Sequence, residues 1–117
     1  MKVTGTDGKE YTIEPDANLS DAGLRGADLS DANLRWASLR GADLGGIDLE
    51  YDNLSEANLM NTNLRSANLS KADLTDTNLS GANLSEADLR DANLSGAIWS
   101  DETVFPEGFE IPEKSGT

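Results

Sequence analysis

The chain has 117 residues, no cysteine and no histidine, and 22 acidic side chains against 9 basic ones, for a formal net charge of −13. That length suits one domain, but the apolar share of 37% lies below the roughly 45–50% of ordinary globular proteins, so a rounded core would be thin. The composition excludes thiol nucleophiles, disulfides and thiolate metal sites. It also removes the commonest general base and transition-metal ligand, and argues against a basic patch for nucleic acid or anionic lipid.

In chain order, "KVTGTDGKEYTI" places Asp7-Gly8, a hairpin turn signal, between β-favouring residues. This predicts a strand or hairpin over residues 2–13, inside an N-terminal cap spanning 1–16. The opening residues lack the apolar run of a signal peptide, and no stretch approaches the ~18 apolar residues of a membrane span. The expectation is a cytoplasmic protein with no membrane association and no cofactor.

From residue 17 one rhythm governs the sequence. Every leucine of the chain falls five residues after the last: Leu19, Leu24, Leu29, Leu34, Leu39, Leu44, Leu49, Leu54, Leu59, Leu64, Leu69, Leu74, Leu79, Leu84, Leu89 and Leu94. All alanines, from Ala17 to Ala97, sit two residues before a register position, and the residue before each leucine is Asn or Asp except at Gly23 and Ser38. The two residues after each leucine are mostly polar or turn-forming. A period of five matches neither a helix nor a straight strand. It does match a polygonal coil: Ala and Leu, two apart on a short extended segment, point inward, Asn or Asp points out, and the trailing pair turns a corner. Stacked coils then bury a column one side chain wide, which needs only about two apolar residues in five.

The unit A-[N/D]-L-x-x resembles the motif of the pentapeptide repeat family over residues 17–101, nearly three quarters of the chain. "YTIEPDANL" resembles opening segments of bacterial members and "GAIWSDETVFPEGF" their closing segments. The resemblance implies an all-β chain, a right-handed quadrilateral β-helix with four units, 20 residues, per coil and slightly over four coils. At about 4.8 Å per coil the stack would be roughly 20 Å long.

A solenoid needs caps at both ends. After Leu94, Trp99 takes the next register slot, and Trp99, Val104, Phe105, Phe109 and Ile111 gather the bulky residues of a C-terminal cap and tail (102–117). Pro106 and Pro112 stop further coiling, and "EKSGT" is expected to fray. The bulky group reads as a hydrophobic plug or as an end-to-end homodimer interface, leaving monomer and dimer open.

Inward positions depart from alanine at Ile47, Asp52, Thr62 and Thr77. Stacking by 20 puts Asp52 between Ala32 and Ala72, where a bare carboxylate would cost several kcal/mol. Either the corner bulges outward, or Asp52 bonds freed backbone amides, or a cation or ligand site forms near Asp52, Glu50 and Glu56.

Sorted by register, the side of Leu29, Leu49, Leu69 and Leu89 carries Asp28, Asp31, Asp48, Glu50, Asp88 and Asp91 against Lys71 and Arg90, net −4. The adjoining side carries Asp52, Glu56, Asp73 and Asp76 against Arg35, net −3. Such faces serve solubility and resist edge aggregation, or they form a binding stripe with Trp36 and Tyr51 at neighbouring corners. No catalytic constellation is present, and a leucine-filled column leaves no pocket. The sequence therefore reads as a non-catalytic interaction module with an unidentified protein partner and no direct nucleic-acid binding. The alternative follows from the resemblance: quinolone-resistance relatives imitate duplex DNA and occupy DNA gyrase.

Overall fold

A computed structural model of the chain describes residues 1–112. The expected fraying of "EKSGT" falls on residues 113–117, outside the described residues. Parallel bridges join each central residue of a unit to the one 20 positions later, from Asn18 with Ser38 through Asn78 with Ile98. Four units therefore close one coil, and the chain is a right-handed quadrilateral β-helix. Residues 17–36, 37–56, 57–76 and 77–96 form coils one to four.

The unit around Leu49 satisfies all five backbone N–H groups from Asp48 to Asp52, as burial requires. The Leu49 N–H bonds Asn68 O (2.8 Å) and the Asp48 N–H bonds Ala27 O (2.9 Å), so leucine reaches the next coil and its neighbour the previous one. The Glu50 N–H is taken by the Asp48 side chain (3.0 Å). The Tyr51 N–H bonds Ser70 O (3.1 Å), and the Asp52 N–H turns back to Leu49 O (3.0 Å). That last bond closes a four-residue turn whose third residue has φ of 64°. A positive φ at that position alone defines a type II turn. The same sign recurs at every corner from Asp16 to Gly96, and only five of these seventeen positions are glycine.

The Asn/Asp preference now has a cause. At fourteen central positions the Oδ1 atom accepts the N–H two residues on, as in Asn68 to Ser70 and Asn58 to Met60 (both 3.0 Å). This local bond fixes the entry to each corner. All sixteen register leucines are buried, none more than 8% exposed, with Ile47 and most of the alanines beside them. Thr62 and Thr77 are also buried, and each donates its hydroxyl to a leucine carbonyl, Leu39 O and Leu74 O, at 2.8 Å.

Two strands precede the column, β1 (Lys2–Thr4) and β2 (Glu10–Thr12), paired antiparallel as a hairpin. Its loop docks on the first coil: the Thr6 N–H bonds Gly23 O (2.8 Å), and Asp7 Oδ2 accepts the Gly23 N–H (3.2 Å) and the Tyr11 hydroxyl. Gly23 breaks the motif because a Cβ there would stand 3.0 Å from Thr6 Oγ1 and 3.3 Å from Asp7 Cβ. The column proper begins at Glu14–Ala17, where Pro15 occupies the second position of the first corner, a place its fixed φ suits.

At the far end the register slips. Val104, not residue 103, pairs with Asn83, so one extra residue enters the last turn. Thr103 bonds Leu79 O across 24 positions where Thr62 bonds Leu39 O across 23. With the hairpin and this segment added, the molecule measures 38 × 24 × 23 Å. The expected stack of roughly 20 Å counted only the coils. Among the described residues no helix is long and apolar enough to cross a membrane.

Candidate interaction surface

The acidic column of the first side is tied into the wall. Asp28 accepts the N–H and hydroxyl of Ser30 (3.1 and 2.8 Å), Asp48 accepts the Glu50 N–H, and Asp88 binds the Arg90 guanidinium at 2.9 and 2.7 Å. The Ser30 bonds hold the Asp28 carboxyl below its ordinary range, and the Arg90 side chain does the same for Asp88. These carboxylates thus cap corners and still present anionic charge to solvent.

Corner residues Asp31, Tyr51, Lys71 and Asp91 stand one per coil along one edge, where the two acidic sides meet. Tyr51 is 54% exposed, and the Lys71 ammonium lies 5.0 Å over its ring. Glu50 accepts the Ser70 hydroxyl (3.2 Å) and shares a shallow depression with Lys71, Arg90 and Asp91.

The next edge carries Asp16, Trp36, Glu56 and Asp76. Trp36 is 48% exposed, with the Arg35 guanidinium 4.2 Å over the ring. Its indole N–H and Arg35 both donate to Glu56 Oε2 at 3.1 Å. Trp36 and Tyr51 therefore flank opposite edges of one flat side, whose outward column is Asn33, Asn53, Asp73 and Asn93. Both aromatics adopt left-handed backbone, φ 67° and 64°, at a cost of about 1–3 kcal/mol for a bulky residue. The sequence carries no sign of this strain, because the repeat marks the corner without marking its φ.

Behind that side lies Asp52. The corner does not bulge: Asp52 keeps the regular bonds, its N–H to Leu49 O and its carbonyl to the Asp73 N–H (2.8 Å). The carboxyl is 0% exposed inside the column; Oδ1 accepts the Ala32 N–H at 3.0 Å, and Oδ2 has no partner. Burial pushes its pKa up to about 8, and Asp31, Asp48 and Asp28 add to the rise. Counting Asp52 with the outward charges is thus corrected, and the second acidic side falls to net −2 at neutral pH. The cation-site expectation is corrected as well. Glu56 turns to Arg35 and Trp36, Glu50 to Ser70, and among the described residues no three carboxylates gather closely enough to hold a metal.

At the C-terminal end, Trp99, Phe105 and Phe109 pack against the column. The first pair meets edge to face and the second is stacked, with centroids 5.6 Å apart in each case. Val104 and Ile111 do not join them; they are 48% and 50% exposed. Val104 takes an outward central slot because of the one-residue slip, and Ile111 lies beyond the last turn. Leu89, Leu94, Trp99 and Phe109 border a cleft of about 440 Å³ beside this cap.

A family model for pentapeptide repeats matches residues 17–50 and 53–81 in eight copies, more than half of the chain, interrupted only at Tyr51 and Asp52. No curated protein sequence matches the chain. Among solved structures it is similar to Rfr23, a pentapeptide repeat protein from the cyanobacterium Cyanothece 51142, at 41% identity and a TM-score of 0.77, over 78% of this chain and 62% of that one. It is also similar to HetL, a pentapeptide repeat protein involved in heterocyst differentiation regulation in Nostoc sp. strain PCC 7120, at 36% identity and 0.69, over 80% and 47%. A pentapeptide repeat protein from the thylakoid lumen of Arabidopsis thaliana is 27% identical with a TM-score of 0.70, over 79% and 68%. The chain spans about three fifths of the length of Rfr23 and less than half that of HetL. By its repeats and its fold, this chain belongs to the pentapeptide repeat family.

Proposed function

We propose that the chain is a non-catalytic interaction module that docks a macromolecular partner, a protein, on its two adjoining acidic sides. The observation that carries this reading is the placement of Trp36 and Tyr51. Each is about half exposed, held in strained backbone and pinned by a neighbouring cation, and together they frame a flat side next to the Asp28, Asp48, Asp88 column. Rigid, exposed aromatics beside charge are typical anchors of protein interfaces, and repeat proteins offer such extended surfaces. The leucine-filled column leaves no enclosed pocket for a substrate. The test is a pull-down from the native host, comparing the wild type with a variant in which Asp31, Glu50 and Asp91 are neutralised. Loss of a specific partner supports the reading, and equal recovery by both proteins discards it.

Imitation of duplex DNA is the second reading, favoured by the 38 Å length and the anionic sides. Charge density weighs against it. A duplex of that length carries about 22 phosphate charges, whereas the whole chain carries a formal −13, of which only −8 lies on the four sides of residues 17–101. Inhibition of DNA gyrase supercoiling at micromolar protein would restore it.

A further inference from the structure

We propose that the Tyr51–Asp52 corner is a proton-operated opening in the solenoid wall: when Asp52 gives up its proton to solvent, residues 51–53 swing outward and uncover the column between Ala32 and Ala72. The proposal concerns a conformational device and stands independently of any partner.

Two adjacent residues carry the argument. Asp52 has a fully buried carboxyl with one hydrogen bond, to the Ala32 N–H, and a second oxygen with no partner. Beside it, Tyr51 holds φ at 64°, a region bulky side chains avoid. One outward motion of this corner hydrates the carboxylate and frees the tyrosine backbone together. Among the described residues no other corner joins a buried carboxyl to a strained aromatic.

The surroundings favour the neutral form while the wall is closed. From the first coil Asp28, Asp31 and Arg35 face this corner; from its own coil Asp48, Glu50 and Glu56; from the third coil Lys71 and Asp73. Arg35 is engaged by Glu56, and Lys71 lies over the Tyr51 ring. The acidic neighbours Asp31, Asp48 and Asp28 oppose a charge on Asp52, adding to burial, and its proton is held to about pH 8. In the open state the carboxyl is hydrated and titrates near the ordinary 3.9. Opening therefore releases one proton across the interval between these values, and its equilibrium constant rises by up to about tenfold per pH unit before levelling off.

The test is amide hydrogen exchange by NMR on the full chain, corrected for intrinsic chemistry, from about pH 5.5 to 9. The reporters are the N–H groups of Tyr51, Asn53 and Asp73, which bond Ser70 O, Ala32 O and Asp52 O; Asn63 and Asn83, bonded to Ala42 O and Thr62 O, are the controls. The expected result is an opening constant that climbs about a hundredfold over two pH units at the reporters and flattens above about pH 8, while the controls, which open only with the whole fold, keep opening constants far below the reporters' at every pH. D52N and D52A should abolish the climb. The proposal is overturned by level reporters in the wild type, by an equal climb in both variants, or by reporters and controls opening together as in global unfolding.

Discussion

Asp52 Oδ1 sits 3.0 Å from the Ala32 nitrogen, and nothing bonds its other oxygen. Its pKa is raised to about 8 when folded against about 3.9 when unfolded. Between those values the folded chain holds one proton more than the unfolded chain, so this residue makes stability fall as pH rises, by up to about 1.4 kcal/mol per unit, and the loss is complete above pH 8. D52A, which restores the alanine found at Ala32 and Ala72, should remove that slope. Denaturant titrations at pH 5 and pH 8 should show the variant gaining several kcal/mol over the wild type at the higher pH and much less at the lower. An equal difference at both pH values would show that Asp52 is ionised in the folded chain.

A second prediction separates capping from charge in the outward column. Asn68 Oδ1 accepts the Ser70 N–H at 3.0 Å and its hydroxyl at 2.7 Å. N68A should cost about 1 kcal/mol through the orphaned amide, independently of salt. N68D should keep the cap but place a third charge between Asp48 and Asp88, about 4.8 Å from the neighbouring coils. Its penalty should shrink between low and high salt, since screening acts over about 10 Å at 0.1 M. Denaturation midpoints at two ionic strengths decide the point.

These contrasts show what the sequence discloses. The leucine period marks the core because burial selects residue type at each inward position, and bridges spaced by 20 fit the four-sided coil implied by the family motif. Asp52 was legible as an anomaly, yet its outcome was not: the choice between a bulge and a buried acid depends on whether the wall bonds outweigh a carboxyl kept neutral by its surroundings. The left-handed φ at Trp36 and Tyr51 was hidden because the ladder imposes it regardless of the side chain. The exposure of Val104 was hidden because one added residue before it shifts a central slot onto a hydrophobic residue.

Trp36 and Tyr51 supply a prediction that divides stability from binding. Asparagine tolerates left-handed backbone, so W36N and Y51N should relieve about 1–3 kcal/mol of strain. Each also gives up a cation–π contact of about 0.5–1 kcal/mol and, for Trp36, the bond to Glu56. Folded stability should therefore change by no more than about 1–2 kcal/mol in either variant. If the flat side is a docking surface, the double variant should lose partner recovery while its unfolding curve barely moves. Unchanged recovery would show that the exposed rings take no part in binding.

The hairpin predicts that a substitution matching the repeat will harm the fold. G23N restores the family motif at its one glycine exception, yet its Cβ would press on Thr6 Oγ1 and Asp7 Cβ, at 3.0 and 3.3 Å. The Thr6 and Asp7 side chains would have to give by a few tenths of an ångström, straining the Thr6 N–H bond to Gly23 O and the Asp7 bond to the Gly23 N–H. Overpacking of this kind costs about 1–3 kcal/mol. Because it acts at the cap, the loss should appear first as faster amide exchange at Thr6 and the first coil, with Leu64 and Leu69 unaffected below the global transition. A variant as stable as the wild type, with a protected Thr6 amide, would mean that the hairpin loop rests on the coil without constraining it.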